Sequence, residues 1–166
     1  MQPLLIDLTN KDVLVVGGGQ IALRRLLLFI EEGAIVTVVS PEVVPDIEEL
    51  FKQGKIHWFE KEIELQDLDK AFMIIAATND SDLNEWIAEN AKTNQLVNNV
   101  SNAKKGNVTV PKSVKKGRLT LSVSTNGASP KLAKQICEQF SNQFDDHFIR
   151  NLDQLYKDRE IRKGNK

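Results

Sequence analysis

Positions 13–22 read Val-Leu-Val-Val-Gly-Gly-Gly-Gln-Ile-Ala. The four apolar residues, three of them β-branched, predict a strand that is buried on both faces of a parallel sheet. Gly17 permits a tight turn, Gly19 lets a pyrophosphate approach bare backbone, and Ala22 lets the next helix pack closely. The free N–H groups at the start of that helix favour a bound anion. The stretch therefore predicts a dinucleotide-binding turn; a turn kept only for chain geometry is the alternative.

The chain up to about residue 110 alternates buried strands with helical patterns. This order predicts an α/β fold with a Rossmann-type, mostly parallel, doubly wound sheet over residues 1–110. Besides the first strand, the patterns predict strands at 34–39, 56–59, 72–77 and 95–100 and helices at 20–32, 44–52 and 82–93.

The pattern changes after Pro111. Strands are predicted at Val108–Val110 and Leu119–Thr125, around a turn at Lys115–Gly117, and the second strand alternates as a half-exposed antiparallel strand does. Ser129 is a good N-cap for a helix that begins at Pro130. We expect a small α+β segment at 111–145 and a C-terminal helical region at 146–166. The apolar face of the first of these helices is expected to carry Leu132, Ile136, Phe140 and Phe144.

The composition excludes several classes of protein. The 166 residues carry a net charge of −1, which gives no basic field for nucleic acid. The longest apolar runs are interrupted by glycine or charge, so no membrane association is expected. The single cysteine, Cys137, favours a reducing compartment, and no leader pattern is visible, so we expect a cytoplasmic protein. No Cys/His cluster has metal-ligand spacing, and no metal site is predicted.

Polar residues follow the second and fourth predicted strands, where open α/β sheets bind ligands. Ser40 and Glu42 are expected to contact the adenosine ribose, and no cation stands beside them to pair with a 2′-phosphate. This favours NAD over NADP, although Arg24 or Arg25 could bend back towards the site. Thr78 and Asn79 are expected to line the cofactor cleft, or to cap the helix that follows.

Four motifs together resemble a known family. They are Val-Gly-Gly-Gly-Gln-Ile-Ala at 16–22, Ile-Ile-Ala-Ala-Thr-Asn-Asp at 74–80, Asn-Val at 99–100 and Val-Ser-Thr-Asn-Gly-Ala-Ser-Pro at 123–130. Over nearly the whole chain the sequence is similar to the precorrin-2 dehydrogenases and to the N-terminal module of sirohaem synthase. The resemblance implies oxidation of precorrin-2 to sirohydrochlorin, a homodimer with the segment after the Rossmann unit crossing between subunits, and NAD contacts at Gln20, Ile21, Pro41 and Glu42.

The implied substrate is a flat tetrapyrrole fringed with carboxylates, which needs anion-binding groups. The turn before the helix at Pro130 offers hydroxyls and free N–H groups, although a strand end and helix cap would use the same residues. Charge could come from Lys104, Lys105, Lys112 and Lys131. The predicted substrate-binding residues are Asn99, Thr125, Asn126, Gly127 and Ser129, and Ser124 is predicted to be catalytic.

Asn102 departs from the family's pattern. Family members commonly carry an aspartate at this position, proposed as a general base and as important for metal insertion. An amide takes up no proton near neutral pH, whereas hydride transfer depends mainly on orientation. Asn102 is therefore assigned to the catalytic region, with dehydrogenase activity expected and ferrochelatase activity doubtful. Two alternatives stay open: a non-catalytic NAD-binding regulatory module and a bifunctional dehydrogenase–ferrochelatase.

Overall fold

A computed structural model describes residues 1–164 as two compact units that divide between Thr109 and Val110. The first unit is built on a five-stranded, fully parallel sheet in the order β3-β2-β1-β4-β5, which confirms the predicted fold class. Its strands are β1 Asp12–Val16, β2 Ile35–Val39, β3 His57–Phe59, β4 Met73–Ala76 and β5 Leu96–Asn99. Its helices are α1 Gln20–Glu31, α2 Pro45–Lys52 and α3 Ser81–Asn90, with a 3-10 helix at Leu65–Leu68.

The strand register brings the carboxyl ends of the sheet to one edge. Val16 is paired with Val39 of β2 on one side and with Ala76 of β4 on the other, and Ala76 is paired with Asn99 of β5. Strand order reverses at β1, where the chain leaves towards β2 and later returns to β4. This is the switch point at which parallel α/β sheets open a crevice for ligands.

Both faces of the sheet are buried, as the apolar strand sequences predict. On one face Leu14 and Ile74 pack in a cluster with Leu68 of the 3-10 helix and Ile87 of α3. The alternate residues Val13, Val15 and Ile75 are buried on the opposite face, and α1 lies against β1 and β2. The sheet is therefore doubly wound.

The outer edge of β5 explains why the strand predicted at Val108–Val110 does not form. The Asn107 side chain accepts a hydrogen bond from Val97 N (2.7 Å) and donates to Gln95 O (2.8 Å). The backbone N–H groups of Asn107 and Val108 both donate to Val97 O. The edge is thus covered by one asparagine and irregular backbone instead of a sixth strand, and that prediction is wrong.

The second unit contains a two-stranded antiparallel sheet and two helices. They are β6 Lys112–Lys116, β7 Leu119–Val123, α4 Pro130–Ser141 and α5 Asp146–Gly164. The predicted turn at Lys115–Gly117 is displaced, because both lysines belong to β6 and the turn starts at Gly117, whose φ is +53°. Residues 165 and 166 of the predicted C-terminal region lie outside the described residues.

The packing of α4 differs from the expected apolar face. Ala133 and Cys137 are the apolar residues of α4 that are buried, whereas Leu132 and Phe140 are 47% and 49% exposed. Phe144 lies beyond the end of α4. Helix α4 lies against both β6 and β7, and its small residues are the ones buried there. The larger apolar side chains are left on the outside of this unit.

None of the helices within residues 1–164 combines the length and the apolar character that a membrane crossing needs.

Gln95 offers a test of how the 3-10 helix is attached to the sheet. Its buried side chain donates to Leu68 O and Ala71 O and accepts from Lys92 N. We expect Gln95→Ala to lower the free energy of unfolding by about 1–3 kcal/mol for each buried group left without a partner. Urea denaturation measures this, and Gln66→Ala, at an exposed position of the same 3-10 helix, should stay within about 0.5 kcal/mol of wild type. Equal effects of both variants would contradict the assignment.

Candidate functional site

A cleft of about 740 Å³ opens at the carboxyl edge of the first unit's sheet. It lies at the switch point between β1 and β4, where the strand register predicts a ligand crevice. Its walls come from the loops after β1, β2 and β4 and from the segment after β3. The lining residues are Val16–Gly19, Val39–Val44, Ala77–Asp80, Glu62, Ile63 and Leu83.

Close backbone contacts shape the glycine turn. Gly17 has φ +114°, and a Cβ there would overlap the carbonyl oxygen of Ala77. A Cβ on Gly18 would overlap the carbonyl oxygen of Glu42, while Gly18 O accepts a 2.8 Å hydrogen bond from Val44 N. The middle glycine, which the sequence motif leaves unassigned, is therefore required for the loop after β2 to pack against the turn.

Gly19 is open where its neighbours are crowded. No described atom lies within 4 Å of the place a Cβ would occupy. Gly19 is the N-cap of α1, no side chain caps this helix end, and the first turn holds no acidic residue. Since the first N–H groups of a helix have no partner within the helix, this end presents donors and a positive dipole to an anion.

The other predicted residues of α1 have different surroundings. Ala22 is fully buried, as the close packing of α1 on the sheet requires. The side chains of Gln20 and Ile21 do not line the cleft, and Ile21 is 51% exposed. Arg24 and Arg25 are also absent from the described cleft lining, and burial lowers the pKa of Arg25.

Ser40 and Glu42, which follow β2, have different surroundings. The buried Ser40 hydroxyl donates to Glu42 O (2.7 Å), and the Trp58 indole N–H donates to Ser40 O (3.0 Å). Ser40 thus shapes the loop. The Glu42 carboxylate is exposed at the cleft beside Pro41 and has no hydrogen-bond partner in the described part of the chain.

A buried asparagine organises the loop after β4. Asn84 is fully buried, and its Oδ1 accepts from both Thr78 N (3.0 Å) and the Thr78 hydroxyl (2.9 Å). Its Nδ2 donates to Thr78 O (3.0 Å). Asp80 caps α3 through Asp82 N and Leu83 N. The sequence-predicted pair Thr78 and Asn79 lines the cleft, and Thr78 also takes part in the polar network that fixes the loop.

The buried side chain of Asn99 is hydrogen-bonded to the loop that follows β5. Asn99 is buried, its Nδ2 donates to Asn84 O (3.0 Å), and its Oδ1 accepts from Ser101 N and Asn102 N. The Ser101 hydroxyl donates to the same oxygen (2.8 Å). These bonds occupy the amide, so Asn99 holds the loop after β5 in place, and its role in substrate binding stays a prediction.

Asn102 lies in a small charged cluster. Its Nδ2 donates to Glu85 Oε1 (3.3 Å), and its Oδ1 accepts from Lys104 N (3.2 Å). Glu85 also pairs with Lys105 at 3.0 Å. The hydrogen bond from Lys105 is the main cause that lowers the pKa of Glu85, with a smaller contribution from Asn102, and desolvation opposes both. Lys105 is therefore neutralised by acidic neighbours, including Glu89 at 3.2 Å, and is a poor candidate for substrate charge.

In the second unit, the turn before α4 uses most of its hydroxyls internally. The Thr125 hydroxyl accepts from Ser129 N and donates to Ser129 O, and the Ser129 hydroxyl accepts from Leu132 N at 3.1 Å. Ser124 Oγ accepts from Asn126 N (3.2 Å). The Asn126 side chain is exposed and has no hydrogen-bond partner among residues 1–164. Asn126 and Gly127, with φ values of +50° and +86°, form the tip of the turn.

Sequence reasoning missed part of the cleft. Gly18 was visible as a third consecutive glycine. Glu62, Ile63 and Leu83 carry no local signal, because tertiary packing alone brings their segments to the cleft. No three His, Cys, Asp or Glu side chains within residues 1–164 group closely enough to hold a metal ion.

Family models match most of the chain. A model described as putative NAD(P)-binding matches residues 4–112, and one described as sirohaem biosynthesis protein central matches residues 116–142. The first covers the unit with the cleft, which supports a nicotinamide dinucleotide as the cofactor. The second covers β7, the turn that follows it and α4.

Individual relatives agree with the models. The precorrin-2 dehydrogenase of Bacillus subtilis (strain 168) is 47% identical over 95% of this chain and 97% of its own length. That of Priestia megaterium is 40% identical over 97% of this chain and 80% of its own. The sirohaem synthase of Zymomonas mobilis is 37% identical over 82% of this chain and 29% of its own.

A solved structure, that of "SirC, precorrin-2 dehydrogenase", is similar with a TM-score of 0.81 and 40% identity. The match spans 95% of this chain and 78% of that one. The resemblance read from the four motifs is therefore confirmed over almost the full sequence. This chain belongs to the precorrin-2 dehydrogenase family.

Proposed function

We propose that this chain oxidises precorrin-2 to sirohydrochlorin, with NAD as the hydride acceptor, in sirohaem synthesis. One observation carries the proposal: the uncapped start of α1 and the open position at Gly19 face a cleft at the switch point of the sheet. That arrangement fits a dinucleotide pyrophosphate, and it occurs in a chain of this family.

The residues of the cleft fit NAD. The backbone at Gly19 and the N–H groups of Gln20 and Ile21 accommodate the pyrophosphate, so these two residues contribute through their backbone. The exposed Glu42 carboxylate accepts hydrogen bonds from a ribose diol and repels a 2′-phosphate.

The oxidation removes a hydride and a proton from the substrate. The bound nicotinamide supplies the hydride acceptor. Asn102 holds its loop through Glu85 and Lys104 and takes up no proton at neutral pH. The proton therefore leaves to water or to a substrate carboxylate, and the contribution of the protein is to orient the cofactor and the substrate.

The turn before α4 is proposed to bind the carboxylate fringe of the tetrapyrrole. The Ser124 hydroxyl, the free Asn126 amide and the backbone of Gly127 form its exposed tip. Thr125 and Ser129 fix the shape of this tip. Lys112 and Lys131, at the start of β6 and in the first turn of α4, are exposed cations in the same unit.

The second unit also supports a homodimer. Large apolar side chains are exposed on both of its helices, and patches of this kind mark association surfaces. The exposed side chains include Leu132, Phe140, Phe148, Leu155 and Ile161.

We assign the protein to the cytoplasm because its only cysteine is a buried thiol and cannot form an internal disulfide.

Turnover tests the function directly. Purified protein with NAD under anaerobic conditions should convert precorrin-2 into a species with the absorption spectrum of sirohydrochlorin. Absence of any spectral change with NAD and with NADP would overturn the proposal. NAD binding without turnover, seen by calorimetry, would instead support a non-catalytic module.

Alanine substitutions at Gly19 and at Gly18 distinguish an effect on NAD binding from an effect on stability. Gly19 has φ −86° and open space, so Gly19→Ala should leave stability unchanged or raise it by about 0.4–1 kcal/mol. Its methyl group occupies the pyrophosphate position, so the Kd for NAD should rise by about tenfold or more. Gly18→Ala should instead lower the melting temperature, because its Cβ overlaps Glu42 O. Unchanged NAD affinity in Gly19→Ala would contradict the placement of the pyrophosphate.

A substitution of Asn102 tests whether the missing carboxylate limits ferrochelatase activity. Asn102→Asp places a second carboxylate beside Glu85, and two carboxylates attract a divalent cation. We expect insertion of iron or cobalt into sirohydrochlorin, measured without NAD, to be faster in this variant than in wild type. Asn90→Asp, on the exposed surface of α3, makes the same chemical change and should leave the rate unaltered. Equal rates in wild type and Asn102→Asp would remove the missing carboxylate as the explanation.

A further inference from the structure

A second acidic residue reaches the cofactor cleft from a part of the sequence that contains no nucleotide-binding motif. Glu62 follows β3 and lines the cleft together with Glu42, which follows β2. The Glu62 side chain is exposed and has no hydrogen bond or ion pair with any residue in 1–164. The two free carboxylates therefore belong to separate loops that the fold brings to one cleft.

The backbone on both sides of Glu62 is held in place. Ile63 packs against the buried cluster beneath the sheet. Glu64 and Asp67 form a reciprocal capping box at the 3-10 helix, in which Glu64 N donates to Asp67 Oδ2 (2.8 Å). Before Glu62, the ammonium of Lys61 is bound to both of these acids, at 2.8 and 2.9 Å. Glu62 is thus a free carboxylate on a fixed segment.

The same contacts remove the nearest cation from the cleft. Lys61 adjoins Glu62 in sequence and would be the obvious group to pair with a phosphate, but Glu64 and Asp67 already neutralise it. No Lys, Arg or His is found among the described residues that line the cleft. The third acid of the lining, Asp80, is occupied as the N-cap of α3.

We propose that Glu62 is a specificity-determining residue that acts with Glu42 to exclude NADP from this cleft. This inference rests on the proposed use of NAD. A phosphate monoester carries a charge of about −1.5 to −2 at pH 7, so a 2′-phosphate is repelled by both carboxylates. The unphosphorylated diol has no such charge and donates hydrogen bonds to carboxylate oxygens.

Charge reversal tests the proposal. Calorimetric titration of the full chain with NAD and with NADP gives the ratio of the two dissociation constants for wild type, Glu62→Lys and Glu62→Gln. In Glu62→Lys the Kd for NADP divided by the Kd for NAD should fall by about tenfold or more. In Glu62→Gln this ratio should fall by less. Glu60→Lys is the matched control, because it makes the same charge change on the same segment at a residue outside the cleft lining. Its ratio should stay within about twofold of wild type in physiological salt.

The outcomes separate this inference from the proposed function. An unchanged ratio in both Glu62 variants, with NAD bound as in wild type, would overturn the role of Glu62 alone. An equal shift in Glu60→Lys would overturn it too, since a general field would then suffice. If wild type binds neither dinucleotide, or prefers NADP, the cofactor assignment itself fails. Should Glu62→Lys unfold, as seen by circular dichroism, the nearly isosteric Glu62→Gln decides the question.

Discussion

The close approach of three backbone segments at the glycine turn is the constraint on which the site depends. Gly17 N donates to Val39 O (3.0 Å), and Ala77 N donates to Val16 O (2.9 Å). These bonds join the ends of β1, β2 and β4 directly, and neither Gly17 nor Gly18 leaves room for a Cβ. Because the turn is held by its neighbours, the open position at Gly19 that follows it is available for a ligand.

Two buried asparagines near the cleft have hydrogen-bond partners, whereas two exposed carboxylates that line it have none within residues 1–164. The side chains of Asn84 and Asn99 form hydrogen bonds with loop backbone, because buried polar groups need hydrogen-bond partners. Glu42 and Glu62 are exposed, so their carboxylates need no protein partner. The buried asparagines thus shape the loops around the cleft, and the two free carboxylates are the groups that can select its ligand.

The sequence predicted the parts of the molecule that depend on local patterns. The buried strands and the Gly17–Ala22 turn follow from apolar runs and from spacing, and the structure confirms that fold. It could not predict that Asn107 would cover the edge of β5, since this depends on side-chain contacts with a strand ten residues away. It also missed Glu62, whose place at the cleft depends on the order β3-β2-β1 of the assembled sheet.

Local sequence patterns were also not enough to predict how the second unit packs, and that packing bears on function. The i, i+4 spacing correctly placed Leu132, Ile136 and Phe140 on one face of a helix, but spacing does not say which face the chain itself will cover. Here the two-stranded sheet takes the small residues Ala133 and Cys137, since a sheet of two strands offers little surface to bury larger ones. Two strands and a helix are a minimal core, so the apolar groups left outside need another surface. The homodimer proposed above would cover these apolar groups with a second copy of the chain.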